Sequence, residues 1–429
     1  MIENRTQSVQ GKWASRFFTI WVGQAFSLFG SAIVQFALVW WLTQKTGSAT
    51  VLATATLVAL LPQILLGPFA GTLVDRWNRR IIMIVADAGI AFVTVGLIYL
   101  FATGQIQVWH IYAAAMIRSL GGAFHQPAMS SSTSLMVPDK HLARVAGANQ
   151  SLQGLINIFA PPLGALLLEA YSTQTVLMID IATAAIAILP LLFLRIPQPP
   201  RQVQSEESSP KTSYLQDLRE GFSYVVRWKG LLGLILLAMA LNFLLVPASS
   251  FLPLVVTKIF NGGAAELGWV ESLFGAGIIV GGITLSIWGG FKRRIVTSFC
   301  GVIGLGLGIV ITGLVPPGLF YLLFVANFIV GFSQVFANGP LMAIMQSTVA
   351  PEMQGRVFSL LTAGATAMMP LSLLISGPVA DRFGIRFWYL FGGTICILMT
   401  IAATFNPAIM NIEKNNLDAR PPSPAGTTE

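Results

Sequence analysis

Gly67-Pro-Phe-Ala-Gly71-Thr-Leu-Val-Asp75-Arg76-Trp-Asn78-Arg79-Arg80 joins two apolar runs through one acid and three arginines. The run before it, 51–74, and the run after it, 81–101, are each long enough to cross a hydrocarbon core about 30 Å thick, which takes about 20 apolar residues of helix. Charge packed into so few residues between two such runs reads as a tight turn between membrane helices, on the side where basic residues are retained.

The remainder of the chain agrees. Of its 429 residues 55% are hydrophobic and only 10% charged, with a mean hydropathy of +0.73. That leaves too little polar surface to solvate a globule, and a bilayer is the natural solvent. The formal charge of +8 could suggest nucleic acid. The basic residues instead form short clusters between apolar runs, which fits anionic headgroups and membrane topology, so membrane lipids are expected partners and nucleic acid is not. Cys300 and Cys396 both lie inside apolar runs and read as small buried hydrophobes rather than a disulfide or metal pair. No Gly-x-x-x-x-Gly-Lys-Ser/Thr loop, His/Cys/carboxylate metal cluster or nucleophile–base constellation is recognisable, so no cofactor, metal or enzymatic activity is expected.

Twelve spans are read, at 17–42, 51–74, 81–101, 108–131, 145–168, 175–194, 231–256, 265–289, 295–314, 319–345, 357–379 and 387–405. The first is too long for a signal-peptide core and lacks a convincing cleavage site, so it is expected to be kept as a span. With the N-terminus inside, the outer loops hold Lys45, Lys258, Arg382 and Arg386, Arg118 lies within a span, and the remaining twenty of the 25 basic residues are cytoplasmic. This asymmetry places both termini in the cytoplasm of a multi-pass protein. Segment 196–230 divides the spans six and six. It starts as a polar, proline-rich linker, 197–210, and continues into 214–228, where Leu215, Leu218, Phe222, Val225 and Val226 fall at helical spacing, as in an amphipathic helix lying on the inner face. The expected domains are a six-helix bundle over 1–195, the linker and amphipathic helix over 196–230, and a second bundle with a tail over 231–429.

The halves echo each other. Arg79-Arg80 opens the third span as Arg293-Arg294 opens the ninth; Pro138-Asp139 with Arg144-Val145 precedes the fifth as Pro351-Glu352 with Arg356-Val357 precedes the eleventh. Two half-repeats with a substrate path between them make the transporter design in which one bundle rocks against the other. The fold class expected is all-α integral membrane, twelve transmembrane helices in two pseudo-symmetric six-helix bundles.

Polar residues inside spans are the candidate site. Gln24, Ser27, Ser31 and Gln35 share a face of the first span; Asn149, Gln153 and Asn157 of the fifth; Asn327, Gln334, Asn338 and Met342 of the tenth. Lipid would penalise such faces, so each should meet protein or water. They serve either interhelical hydrogen bonding or substrate. Arg118 sits about ten residues into the fourth span, where a guanidinium costs roughly 2.5–3.5 kcal/mol on insertion scales and needs water or a partner. With Gly121, Gly122, His125 and Met129 it makes one stripe, expected to face a cavity. Of the carboxylates, Asp87 and Asp180 on the third and sixth spans favour structural pairing, with Asp87 kept as a coupling candidate. Glu271, a turn or two into the eighth span, is the C-half candidate for titration.

Gly71, Asp75, Arg76, Asn78, Arg79 and Arg80 resemble the loop 2–3 motif of the major facilitator superfamily, Gly-x-x-x-Asp-Arg-x-Gly-Arg-Arg, with Asn78 in the usual glycine position; the second half, Gly289-Gly-Phe-Lys292-Arg-Arg294, lacks the acid. The resemblance implies a secondary transporter in which this cluster latches the cytoplasmic side. Arg118-Ser-Leu-Gly121-Gly122-Ala is similar to the fourth-span motif associated with proton coupling. Ala160-Pro161-Pro162-Leu163-Gly164-Ala165 is similar to the antiporter motif Gly-Pro-x-x-Gly-Gly, with alanine at two glycine sites. Arg118 through Ala128, Asp217-Leu-Arg-Glu-Gly221-Phe-Ser-Tyr-Val and Pro351-Glu-Met-Gln-Gly355-Arg356-Val resemble the bacterial macrolide-efflux and siderophore-export branch. What this implies is a monomeric inner (plasma) membrane exporter of a small amphiphilic substrate, driven by protons. Siderophore export and lysophospholipid flipping are the alternatives within the superfamily, and a membrane sensor or scaffold the alternative outside it.

Overall fold

The computed structural model describes residues 13–194, 196–198 and 214–413. In chain order they form α1 (Trp13–Thr46), α2 (Ala49–Arg76), α3 (Arg79–Ala102), α4 (Val108–Met136), α5 (Asp139–Ala170), α6 (Thr173–Phe193), α7 (Tyr214–Arg227), α8 (Lys229–Leu254), α9 (Ala264–Trp288), α10 (Arg294–Leu314), α11 (Tyr321–Thr348), α12 (Pro351–Phe383), α13 (Ile385–Thr404) and α14 (Pro407–Met410). A five-residue π-helix, Val255–Ile259, follows α8. Among the described residues there is no strand.

Eleven of these helices are long and apolar enough to cross a membrane. The twelfth long helix, α4, has 29 residues, ample for a span. It falls short on composition because Arg118, His110, His125 and serines 130–132 lower its hydropathy. Of those residues, Arg118 and His125 belong to the site. The protein is an all-α, multi-pass membrane protein.

The helices overrun the apolar runs at most ends. A run expected over 17–42 is a helix from Trp13 to Thr46, and one expected over 357–379 runs from Pro351 to Phe383. Hydropathy registers the hydrocarbon crossing, whereas the helix continues into the polar interface until a cap or breaker stops it. Ser48 accepts from the Val51 N–H at 3.3 Å to start α2, Asn78 accepts from the Arg80 N–H at 3.1 Å to start α3, and Ser172 accepts from the Thr175 N–H at 3.4 Å to start α6. These are side-chain oxygens meeting orphan amides of the first turn. Pro351, at the first turn of α12, has no N–H to leave orphaned. Asp139 and Glu352 place an acid against the positive end of α5 and α12.

The chain divides into two compact units, Met1–Gln204 with Val256–Ser272, and Ser205–Val255 with Leu273–Glu429. In the first, α1 packs against α5 and α6, α4 against α2 and α3, and α3 against α6. One of its apolar cores gathers Ile20, Val74, Met83, Ala128 and Leu191 from five of these helices. In the second, α10 packs between α11 and α13, and α8 against α12 and α13. Glycine allows the closest approaches: a Cβ on Gly301 would stand 2.2 Å from the Ala337 backbone nitrogen, and one on Gly331 2.0 Å from the Phe274 carbonyl oxygen. Small residues that let backbones touch are the usual means of helix association where lipid removes the hydrophobic drive.

α7 is a helix over Tyr214–Arg227, and it presents its residues otherwise than the apolar spacing implied. Val225 is buried with Trp228 in the core of the second unit, and Gly221 lies against Arg356 and Leu360 of α12, while Phe222 and Val226 are exposed. Glu220 Oε2 accepts from Arg356 Nη1 at 2.7 Å. One face of α7 is docked on α12, leaving a second apolar face outward. Most of the polar linker at 197–210, including 199–210, lies outside the described residues.

Candidate functional site

Arg118 is ten residues into α4, about 15 Å along the axis and so near the middle of a core about 30 Å thick. Its side chain is 9% exposed and is paired with Asp180 of α6, which is 1% exposed. Thr94 of α3 stands between them. Its Oγ1 accepts from Arg118 Nη1 at 3.0 Å and donates to Asp180 Oδ2 at 2.7 Å. Ser31 of α1 donates to the other oxygen, Oδ1, at 2.9 Å. Four helices thus converge on one carboxylate. The pair offsets the desolvation of each charge, and removing either partner would leave the other buried alone.

A second cluster lies on the same helices. Asp87 of α3 is buried, accepts from Gln24 Nε2 of α1 at 3.0 Å through Oδ2, and has His125 Nε2 of α4 at 3.6 Å from Oδ1. Gln24 and Ser31 are seven residues apart, as are Asp87 and Thr94, and Arg118 and His125. Seven residues are about two turns, or roughly 10 Å. The two clusters are therefore successive rungs of one polar seam down the interior of the first unit. They differ in how well they are satisfied. Asp180 has three donors, whereas Gln24 Oε1 and His125 Nε2 are buried with no hydrogen-bond partner.

The α4 stripe consequently faces α3 and α6. Gly121 lies beside Ile90 and the Ala86 carbonyl of α3, where a Cβ would make ordinary van der Waals contact at 3.4–3.6 Å. A cavity-facing stripe was expected; the partners that neutralise Arg118 lie inside the bundle.

The other polar stripes separate. Ser27 is buried on α1, and Gln35 is exposed. On α5, Asn149 accepts from Trp21 Nε1 at 2.6 Å, Gln153 Nε2 reaches Asn157 Oδ1 at 3.4 Å, and all three side chains are exposed. On α11, Asn327 is buried and donates to the Leu323 carbonyl at 2.9 Å, while Asn338, exposed, donates to the Gln334 carbonyl at 3.0 Å. Glu271 is half-buried on α9 and makes no hydrogen bond or ion pair among the described residues. Spacing distinguished the faces but not what met them. Thr94 escaped the sequence reading because a threonine within an apolar run carries no signal. Asp180 was considered only as one of several carboxylates, with nothing to match it to a guanidinium 62 positions away.

At the α2–α3 turn Asp75 Oδ1 accepts from Arg79 Nη2 at 3.0 Å. Arg79 is buried and also donates to the Ser131 carbonyl of α4 at 3.3 Å. Arg80 donates through Nη2 to the Leu192 carbonyl at 2.5 Å and through Nε to that of Leu191, at the end of α6. Gly71 is half-buried on α2, and Arg76 is exposed. In the second unit Arg294 makes the counterpart of the Arg79 contact, donating to Ser347 Oγ at 3.1 Å and the Ala343 carbonyl at 3.5 Å, near the end of α11.

A sequence profile of the Major Facilitator Superfamily matches residues 20–369 and 247–425. Macrolide efflux protein A of Streptococcus pyogenes is 36% identical over 405 residues, covering 94% of this chain and 98% of that one. Its namesake in Enterococcus faecalis is 34% identical over 327 residues, 76% of this chain and 100% of that one. Among solved structures, a POT family transporter in complex with a thioalcohol-conjugated peptide superposes with a TM-score of 0.71 at 13% identity, over 92% of this chain and 96% of that one, a likeness of fold alone. The charged turn, the arginine of α4 and these matches over nearly the whole length lead to one assignment: the chain belongs to the Major Facilitator Superfamily, and its sequence resembles the macrolide-efflux branch.

Proposed function

We propose that the protein exports macrolides or similar amphiphilic compounds across the inner membrane by proton antiport with alternating access between two six-helix bundles, both termini being cytoplasmic. The observation that carries the coupling is the polar seam of the first unit, with its satisfied Arg118–Asp180 rung and its under-satisfied Asp87–His125 rung. A proton on Asp180 frees Arg118 from its counter-charge; a proton shared by Asp87 and His125 supplies the donor their present spacing lacks. Either event changes which helices α4 is bonded to, which is how a proton can bias a two-state bundle. Substrate specificity falls to the exposed polar residues Gln35, Asn149, Gln153, Asn157 and Asn338, with Gln334. Glu271, which makes no hydrogen bond or ion pair among the described residues, serves as the coupling acid contributed by α9.

The driving force suffices. At about 150 mV one charge is worth roughly 3.5 kcal/mol, enough for a few-hundred-fold gradient of substrate. The Asp75–Arg79 pair serves the gate. Asp75 is 66% exposed, so water can take its place in solvating the carboxylate, while Arg79 keeps the Ser131 carbonyl when a conformational change breaks the pair.

The experiment is accumulation of erythromycin in energised inverted vesicles with and without a protonophore, in wild type and Arg118→Lys. Wild-type export should collapse with the protonophore. Arg118→Lys keeps the charge but loses the planar fork, and should bind the drug while losing most gradient-driven export. Export indifferent to the protonophore would remove antiport, and no export of any macrolide would turn the reading toward siderophores or lysophospholipids.

A further inference from the structure

Between α3 and α4 an apolar groove of about 660 Å³ opens on the surface of the first unit. One wall is Ile81, Val85 and Gly89 of α3, the other Ile117, Gly121 and Phe124 of α4. Ile81 and Val85 are 56% and 63% exposed, so the groove is open to its surroundings rather than sealed. Gly89 creates depth. A Cβ there would meet nothing within 4 Å, and the absent side chain is space. Trp77 closes one end by stacking on Phe124, ring centroids 6.2 Å apart.

Along α3 the groove runs eight residues, about 12 Å, close to the roughly 15 Å depth of one leaflet's hydrocarbon. Its walls offer no polar group at that depth, so it suits an alkyl chain and not a hydroxylated substrate. Polar atoms meet it only at the mouth, where Arg76 and Asn78 stand. The arginines of the turn are not equivalent there. Arg79 is taken by Asp75 and the Ser131 carbonyl, and Arg80 by the Leu191 and Leu192 carbonyls. Arg76 is exposed and has no ion pair or hydrogen bond among the described residues.

We propose that this groove is a binding site for an anionic phospholipid, one acyl chain lying between α3 and α4 and the headgroup phosphate held by Arg76. An uncompensated cation at the end of an apolar slot of single-leaflet length is complementary to that molecule. A zwitterionic lipid fills the slot as well but gains less from Arg76. Because the bound lipid touches the Asp75–Arg79 turn, its headgroup would set how readily that turn opens.

The test is native mass spectrometry of the full chain in neutral detergent, titrated with phosphatidylglycerol or with phosphatidylcholine of the same chains. Wild type should bind phosphatidylglycerol in preference. Arg76→Gln should lose about fivefold of that preference, the amount expected of one basic residue near an anionic surface, and Arg76→Lys should keep it. Gly89→Leu, which fills the groove, should lower occupancy by both lipids; Val85→Trp, at an exposed position, fills the same space and reads the same way if Gly89→Leu misfolds. Equal binding of the two lipids by wild type, or a preference unchanged in Arg76→Gln, would reduce the groove to ordinary lipid contact. Displacement of the lipid by erythromycin with no headgroup preference would make it a drug path and overturn the proposal.

Discussion

Arg118 and Asp180 are each untenable alone at their depth, and that mutual need is measurable. Replacing Arg118 with alanine strands a carboxylate that is 1% exposed, a change that costs about 3–5 kcal/mol when a buried pair is broken from one side. Arg118→Ala should therefore unfold at markedly lower temperature in detergent, and Asp180→Asn should be milder, because the amide oxygen can still accept from Arg118 while its NH2 donates to the Ser31 hydroxyl. The double variant Arg118→Ala/Asp180→Ala should recover much of the lost stability without recovering gradient-driven export. A double variant no more stable than Arg118→Ala would show that the two do not depend on each other. The sequence made Arg118 conspicuous, as a lone guanidinium in an apolar run always is. It left the partner open among several carboxylates, because helical spacing reports which residues share a face and says nothing of which helix lies opposite. The second rung shows the same limit. Gln24, Asp87 and His125 were each visible as polar residues within spans, and only the packing of α1, α3 and α4 makes them one group.

Helix existence was legible from apolar length, and helix ends much less so, since caps such as Ser48 and Asn78 lie outside the runs that hydropathy measures. How the helices touch was legible least. The glycines of α9 and α10 look alike in sequence, yet a Cβ at Gly301 of α10 would press within 2.2 Å of a neighbouring backbone while one at Gly282 of α9 would meet nothing within 4 Å. Gly301→Val should prevent the second unit from folding, since neither backbone can withdraw without parting α10 from α11. Gly282→Ala should be neutral or stabilising by up to about 1 kcal/mol, the helix-propensity difference. Monodispersity on size exclusion and thermal unfolding distinguish the two; a well-behaved Gly301→Val would mean the contact is softer than the packing indicates. α7 makes the same point for an amphipathic helix. Its spacing located the helix, but the buried positions are set by α12, which the sequence could not place beside it.

At the scale of the whole molecule, charge distribution and internal repetition were the most readable features, because neither depends on side-chain packing. Arg79 and Arg294 are each the first residue of the helix that follows the charged turn, and each donates to a carbonyl near the end of the next helix in its own unit, Ser131 in one case and Ala343 in the other. The acid that joins this arrangement in the first half, Asp75, has no counterpart in the second, so the two turns are not paired alike. The orientation we propose rests on the basic residues: the α2–α3 turn and the start of α5 carry Arg76, Arg79, Arg80, Lys140 and Arg144, while the α3–α4 connection, 103–107, carries no charge. Each added arginine near a translocating end favours retention inside, and five against none is a strong bias. Cysteines introduced at Lys140 and at Gln105, both exposed, in a background with Cys300 and Cys396 replaced by serine and alanine, should label from opposite faces of intact cells, Gln105→Cys from outside and Lys140→Cys only after the cells are permeabilised. Labelling of both from one side would require an even number of crossings between them, which α4, the long helix whose composition falls short of a span's, would be the one to supply by failing to span.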